Sequence, residues 1–383
     1  MKRVKNLYST CYDLDRIIDM TERVCTRTKN KNKVHNFEIY KFEHIFNIYR
    51  RLYTRNTYVS KYNIFMINDP KCRIIMAQEI EDKIINHLIA NNILVKVFEP
   101  IFTDSMCATR IGKGTLYGVN LLKRYINEIK FKYDNFYVLK IDISKYFYNI
   151  DHDVLKNILN NKIKDKDALN ILFSIIDSTD YEYVNDTIIK IKNNRIKYLN
   201  SLNISNKSKL IKEVLEIPLY KHGKGLALGN QTSQAFGLIY LYEINHYIRE
   251  KLHIKYLINY MDDFIIIHND KEYLKYCLLD ITNKLKNVYK LDINIKKTKI
   301  DSIKNGVEFL GYYFTLKNNH LIIKLKNQTK IKIKKKISKY KKNKSSDIEY
   351  KDKLLKSLVS YKGILKWGDC NNLYDKTIKE YLC

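Results

Sequence analysis

The sequence predicts an α+β fold in which antiparallel strands pack on helices. Two hairpin patterns and a set of helical stripes carry that expectation. Residues 256–258 and 264–267 are apolar β-formers on either side of Tyr260-Met261-Asp262-Asp263, a strand–turn–strand pattern. Residues 62–67 and 73–76 flank Asn68-Asp69-Pro70-Lys71, a turn signal, and read as a second hairpin with Lys71 and Arg73 near its tip. Elsewhere apolar residues recur at helical spacing.

Composition narrows the function. The chain has 383 residues, 45% of them hydrophobic, enough for a sizeable core. Lys and Arg number 70 against 41 Asp and Glu, a formal net charge of +29. A surplus of that size points to a polyanionic partner, nucleic acid first. Abundant Lys, Asn, Ile and Tyr would also follow from a low-GC genome, so charge supports this reading without deciding it. The 7 Cys are scattered and odd in number, with no CxxC pair and no Cys/His ligand spacing. That fits reduced thiols and argues against a structural zinc. Residues 1–10 are polar and basic, and no run of ~18 apolar residues offers a membrane span. A soluble, cytoplasmic protein with no membrane partner is expected.

Taken in order, residues 11–60 read as helices. Phe42, Ile45, Phe46, Tyr49, Leu52 and Tyr53 form one stripe, expected to face the core, and residues 26–33 read as a basic loop. After the first hairpin, residues 79–91 read as a helix with Ile80, Ile84, Ile85 and Leu88 inward. Arg110-Ile111-Gly112-Lys113-Gly114-Thr115 follows. Its glycines let backbone and cations approach phosphates, but it lacks the spacing of a Walker A loop, and an ordinary loop fits it as well. Residues 136–143 form a strongly apolar strand ending at Asp142. Residues 154–159 read as helix, and the Lys/Asn-rich stretch 189–212 reads as a mobile, charged surface insertion. Residues 223–234 are glycine-rich and precede a helix with Phe236, Ile239, Tyr240 and Ile244 on one side. The plain reading is a loop with Ser233 as N-cap; the functional one is a surface for a base pair and its sugar. Residues 273–288 read as a helix and 307–314 as a strand pair or tight hairpin. Residues 317–342 carry eleven Lys and no acid, and read largely as a basic helix beside a nucleic-acid backbone. Residues 354–382 are amphipathic, with Trp367. No repeat or clear linker appears, so interleaved domains are expected.

The chemistry concentrates on carboxylates. Asp262 and Asp263 at a hairpin tip offer hard oxygen ligands and local negative charge for a divalent metal. An ordinary β-turn also favours Asp. Asp142 is costly at the end of a buried strand unless paired or metal-bound. The run Leu139-Lys140-Ile141-Asp142-Ile143-Ser144-Lys145-Tyr146-Phe147 is far more specific than any single acid.

In this order, these stretches resemble the reverse transcriptases of bacterial retroelements, over about residues 60–315. Asp142 matches the first catalytic Asp of the palm, and Tyr260-Met261-Asp262-Asp263 the YxDD box. Lys71 and Arg73 match the fingers hairpin, and Arg110 with residues 112–114 the second fingers motif. Lys297-Thr298 resembles the basic motif behind the site, and Phe309-Leu310-Gly311-Tyr312 the primer grip. Many reverse transcriptases carry Gln-Gly and Ser-Pro where this chain has Leu228-Gly229 and Ser233-Gln234. The Leu-Gly-x-x-x-Ser-Gln form is similar to diversity-generating retroelements and to related phage-defence lineages.

The resemblance implies a right-hand polymerase: N-terminal helices and fingers over 1–135, a palm over 136–315 with its insertion at about 181–216, and a basic helical thumb over 316–383. It implies an RNA-directed DNA polymerase making cDNA by two-metal nucleotidyl transfer, with two Mg2+ ions or Mn2+ in their place. Asp142 and Asp262 would bridge the metals, the Ile143 carbonyl would complete one shell, and Asp263 would support the site. Lys71, Arg73, Arg110, Phe147, Leu228, Gly229 and Lys297 are expected at the dNTP. Gly225, Ser233, Gln234, Tyr260, Phe309, Leu310 and Gly311 are expected at primer and template. Phe147 would be the steric gate against a 2′-hydroxyl; a core Phe near a strand end is the plain alternative. Leu228 cannot make the hydrogen bonds of the usual Gln, which implies relaxed fidelity. The implied partners are template RNA, primer, cDNA product, dNTPs and a small accessory protein. An antiphage-defence reverse transcriptase is the alternative, told apart by neighbouring genes. A non-catalytic RNA-binding scaffold is a further one, against which the three Asp stand. Nothing in the chain resembles an RNase H domain, a zinc-binding endonuclease or the longer maturase region.

Overall fold

The computed structural model describes residues 3–56, 59–68, 71–342, 348–368 and 370. The turn residues Asp69 and Pro70, and the part of the amphipathic segment beyond 370, lie outside the described residues. The chain folds into two compact units, each assembled from three stretches. One comprises Met1–Asp104, Ile143–His246 and Thr282–Ile293; the other comprises Ser105–Asp142, Tyr247–Ile281 and Asn294–Cys383.

In the first unit Leu14–Arg27, Lys31–Ile39 and Lys41–Tyr53 are helices. Asp13 and Asn30 cap the first two by accepting from the N–H groups of Arg16 and Lys33. The loop between them is therefore shorter than the 26–33 stretch expected. In Lys41–Tyr53 the expected single stripe is split. Ile45, Ile48 and Leu52 are buried, whereas Phe42, Phe46 and Tyr53 are 83%, 61% and 56% exposed. A turn of about 100° per residue puts 45, 48 and 52 on one line and 42, 46, 49 and 53 on the next. The outer rings stack on one another instead, Tyr49 and Tyr53 at 5.6 Å and Phe46 and Tyr49 at 6.4 Å.

Strands β1 (Asn63–Ile67) and β2 (Arg73–Ala77) form the expected antiparallel hairpin, with Ile64 opposite Met76 and Met66 opposite Ile74. The Lys/Asn-rich stretch is not an irregular insertion. It is two helices, Glu182–Ser201 and Lys207–Leu215. Val184 and Ile188 pack with Ile64, Ile74 and Met76 in a small core that also holds Tyr62, Ile217 and Tyr220. One inward apolar residue per turn holds the helix, and Lys and Asn occupy its solvated faces. A second correction concerns Ser233. It lies inside the helix Gln231–Tyr240 and is buried, so it caps nothing. The helix start is satisfied from outside: Asn86 Oδ1 accepts from the Thr232 N–H at 3.0 Å and the Thr232 hydroxyl at 2.7 Å.

The second unit is built on two antiparallel sheets. Strands β3 (Tyr137–Asp142), β4 (Tyr256–Tyr260), β5 (Asp263–His268) and β6 (Lys299–Ser302) pair in the order β4-β5-β3-β6. Strands β7 (Val307–Phe309), β8 (Tyr312–Lys317) and β9 (His320–Leu325) form the other. The helix Thr115–Lys130 packs Val119, Leu122, Ile126 and Ile129 into one core with Val138, Ile258, Ile265, Phe309 and Phe314. The lysine-rich 317–342 stretch is helical only over Asn327–Lys342, where Ile333 and Ile337 enter that core. Lys317 and Lys324 belong to strands, because Asn318 and Asn319, at φ +47° and +61°, form a two-residue hairpin turn. Among the described residues, no helix is long and apolar enough to cross a membrane.

The fully buried Ile188 tests whether the 182–201 helix is bound to the hairpin. Ile188→Ala is expected to lower unfolding stability by ~2–4 kcal/mol in urea denaturation. A loss below ~0.5 kcal/mol would show that this helix does not pack on β1 and β2.

Candidate active site

Three carboxylates meet at one end of the β4-β5-β3-β6 sheet. Strand β3 is buried through Val138, Leu139 and Ile141 and ends at Asp142, itself 5% exposed. Antiparallel pairing sets Asp142 opposite Asp263, the first residue of β5. Directly opposite residues point their side chains to the same face, so these two carboxyls are neighbours. Tyr260 pairs with Asp263 to close the β4–β5 hairpin, leaving Met261 and Asp262 as its two-residue turn. The pattern of apolar runs around a polar turn therefore delivers all three acids to one place.

Their electrostatics are those of a site that wants a cation. The Asp262 carboxyl is pushed up to about 6 by burial, with Asp263 and then Asp142 adding to the rise. The Asp263 carboxyl is also raised, by burial first, against the pull of Lys140. Lys297 Nζ lies 2.9 and 2.7 Å from the two Asp142 oxygens. Lys140 Nζ is 3.9 Å from Asp263 Oδ1, too far for a hydrogen bond, and that buried oxygen has no hydrogen-bond partner. A buried acceptor left unsatisfied is costly unless a positive group fills the gap. Three hard carboxylates at one end of a sheet, one of them with an unsatisfied oxygen, are the chemistry a divalent cation takes, and Asp142, Asp262 and Asp263 would hold it.

The surroundings fix these groups. The Asn294 N–H donates to the Asp142 carbonyl at 2.7 Å, and the Asp142 N–H to Thr298 Oγ1 at 3.4 Å. The 294–298 loop is thereby tied to the end of β3 and presents Lys297 to Asp142. Asn259 was not singled out by sequence, and it holds the turn. Its side chain is fully buried, and its Nδ2 donates to the Met261 carbonyl at 2.7 Å. Met261 needs that support, since φ +56° is a strained conformation for a residue with a side chain. The Asn259 backbone also exchanges hydrogen bonds with residues 105 and 107, at 2.8 and 2.9 Å. An Asn in an otherwise apolar strand, just before a tight turn, was the available signal.

The Arg110 stretch belongs to the same unit. Thr115 Oγ1 is 3.3 Å from the Tyr260 hydroxyl, and Arg110 donates to the Met106 carbonyl at 3.0 Å. Gly112 and Gly114 adopt φ +71° and +123°, which only glycine takes readily. The Lys113 ammonium sits 5.0 Å from the centre of the Tyr117 ring. In the β7–β8 hairpin Leu310 and Gly311 form the turn at φ +48° and +86°. Phe309 is fully buried, with its ring in the core of this unit.

The remaining candidates lie in the first unit, whose boundary falls between Asp142 and Ile143. Ile143 is buried and bridges Ile293. Phe147 sits on the short helix Tyr146–Asn149, against Gly237, where an added Cβ would come within 3.3 Å of its ring. The glycine-rich loop is stitched to this helix and to β2. The Leu226 N–H donates to the Phe147 carbonyl at 2.8 Å, and the Met76 N–H to the Leu228 carbonyl at 2.8 Å. Gly229, at φ +118°, is exposed beside Ile75, on the hairpin strand that Arg73 begins. Lys71 and Arg73 are exposed, and Gln234 is half-buried. Gly225 and Ser233 are buried.

The comparisons with known proteins bear on this arrangement. Residues 67–314 match the family model described as reverse transcriptase (RNA-dependent DNA polymerase). A putative COX1/OXI3 intron 2 protein of Saccharomyces cerevisiae is 28% identical over 207 residues, which cover 47% of this chain and 24% of that protein. The chain thus spans about a quarter of the length of that curated relative. An apo telomerase structure from Candida tropicalis, truncated of its C-terminal domain, is similar at a TM-score of 0.43 and 15% identity, over 68% of this chain and 54% of that one. The matched segment begins at the end of β1, ends within β8 and contains all three carboxylates of the sheet end, and on it the chain belongs to the reverse transcriptase (RNA-dependent DNA polymerase) family.

Proposed function

We propose that the chain is an RNA-directed DNA polymerase that copies an RNA template into cDNA from dNTPs. The observation that carries this is the placement of Asp142, Asp262 and Asp263 at the same end of one sheet, with one carboxylate oxygen unsatisfied. When bound, two Mg2+ ions, or Mn2+ in their place, would activate the primer 3′-hydroxyl and neutralise the triphosphate. Asp142 and Asp262 supply the principal ligand oxygens, with the Ile143 carbonyl as a further one, and Asp263 adds charge. Lys297 supplies the counter-charge on Asp142 that a cation would take over, which leaves its ammonium for triphosphate oxygens. Lys71, Arg73 and Arg110 add cations for the triphosphate. Phe147 is the gate against a 2′-hydroxyl, and Leu228 with Gly229 lies at the nucleotide. Tyr260, Gln234, Leu310 and Gly311 serve primer and template. The fingers, palm and thumb divide near residues 135 and 315.

The finer setting rests on Leu228-Gly229 and Ser233-Gln234. Their form supports a diversity-generating or similar bacterial or phage retroelement, acting in the cytoplasm with a small accessory protein. An antiphage-defence role is supported by the same residues. The intact set of three Asp weighs against a non-catalytic scaffold.

Primer extension tests the assignment. Asp142→Ala and Asp262→Ala are each expected to lower the rate by at least ~10³-fold, several kcal/mol of lost transition-state stabilisation. Extension by purified D262A at the wild-type rate would refute the role. Phe147→Ala is expected to admit ribonucleotides while keeping deoxynucleotide extension; unchanged sugar selectivity would remove Phe147 as the gate. The raised Asp262 carboxyl gives a pH dependence with a definite sign. Protons compete with the cation for that carboxyl below about pH 6, so the Mg2+ needed for half-maximal extension should rise as pH falls from about 7 to about 5. A requirement that stays flat over that range would contradict the carboxyl's role as ligand.

A further inference from the structure

A second group of metal-ligating side chains lies in the first unit. His152 begins the helix His152–Asn160 and is 2% exposed. Its Nε2 lies 2.7 Å from the Gly225 carbonyl oxygen. A carbonyl oxygen only accepts, so Nε2 carries the proton. The other nitrogen, Nδ1, is buried and has no hydrogen-bond partner. It faces Asp177 Oδ1 at 3.2 Å and Asp180 Oδ2 at 3.6 Å. The three ligand atoms lie within 4.8 Å of one another. A neutral imidazole here would aim a lone pair at two carboxylate oxygens, so the cluster needs a positive charge at its centre.

A proton on Nδ1 or a bound cation would supply it, and the geometry favours the cation. Both oxygens are close to Nδ1 yet miss hydrogen-bonding geometry. Oxygens that share an ion with a ring nitrogen stand off the N–H axis in this way. Ligands ~2.0–2.1 Å from a tetrahedral ion lie ~3.3 Å apart, and the two contacts bracket that spacing. A metal-binding His nearly always donates its other N–H to a carbonyl or carboxylate, as Nε2 does to Gly225. The carboxylates are also positioned by neighbours: Lys156 Nζ lies 2.7 Å from both Asp177 oxygens, so a cation taking Oδ1 would leave the ammonium on Oδ2, and the Gly223 N–H lies 3.1 Å from each Asp180 oxygen. His222 Nδ1 is 3.5 Å from Asp180 Oδ2 on a side chain 94% exposed, so it has room to move in as a fourth ligand. A mixed nitrogen and oxygen set suits zinc or a similar late first-row ion better than Mg2+.

We propose that His152, Asp177 and Asp180, completed by His222, form a structural site for a zinc-class divalent cation. The ion would join three segments: the start of the His152 helix, the turn Asp177–Asp180, and residues 222–225 at the head of the glycine-rich loop. That loop continues to Leu228 and Gly229, so the site would order the backbone proposed to meet the nucleotide. The scattered Cys argued against structural zinc. These ligands are His and Asp drawn from distant segments, which no sequence spacing reveals.

Cobalt titration of the full chain tests this, in an Asp142→Ala/Asp262→Ala background that removes the other candidate cation site. The expected result is one equivalent of Co2+ with a visible tetrahedral-type absorption band, displaced by Zn2+. H152Q should abolish the band, and D180N should weaken binding at least ~10-fold. Circular dichroism checks the fold, and if H152Q does not fold, D180N decides. No band in the parent chain, or equal binding by D180N, would overturn the proposal and assign the charge to a proton on His152.

Discussion

The register of β3 against β5 is the constraint on which the site depends. Asp142 and Asp263 face each other because the two strands pair residue for residue from Tyr137 and His268 onward. A slip of one residue would turn the side chains of one strand to the opposite face and take Asp142 away from Asp263. Apolar residues on both strands set that register. Val138, Leu139, Ile141, Phe264, Ile265 and Ile266 are all 2% exposed or less. Core packing therefore fixes where the charge goes, and the cost of gathering three acids is offset by Lys297 on Asp142 and Lys140 near Asp263, while Asp263 Oδ1 remains unsatisfied, where the proposed cation would act.

The strained Met261 turn follows from the same constraint. Holding Asp262 at the hairpin tip requires a two-residue turn, and a tight turn requires a left-handed residue. Glycine would adopt it without strain, but this chain uses Met and secures it with the buried Asn259 side chain. Rigidity here matters, because carboxylates poised for a cation must not relax towards solvent. The second unit thus invests strain and buried polarity in a few residues and surrounds them with ordinary core.

How much was legible in sequence follows from which forces are local. Asp142, Asp262 and Asp263 could be read because they lie at the ends of apolar strands or in the turn between two of them, and strand pattern survives without tertiary information. The β1–β2 and β7–β8 hairpins were legible for the same reason. The 182–215 helices were not, because a surface helix with one inward residue per turn looks like a polar coil when Lys and Asn dominate. Phe42, Phe46 and Tyr53 misled in the other direction. They are apolar and helically spaced, but lie one line away from Ile45, Ile48 and Leu52, and Phe46 and Tyr53 stack on Tyr49 instead of entering the core. The Lys297–Asp142 contact and the His152 cluster depend on residues brought together by folding, and no spacing rule finds them.

The central claim is that Asp142, Asp262 and Asp263 hold divalent cations at the sheet end. Anomalous diffraction from crystals of the full chain with primer, template, a non-hydrolysable dNTP analogue and Mn2+ measures this directly. Manganese peaks are expected at coordination distance from Asp142 and Asp262, with the Lys297 ammonium displaced from the Asp142 carboxylate. A complex with nucleotide bound, no manganese between these carboxylates, and Lys297 still on both Asp142 oxygens would contradict it.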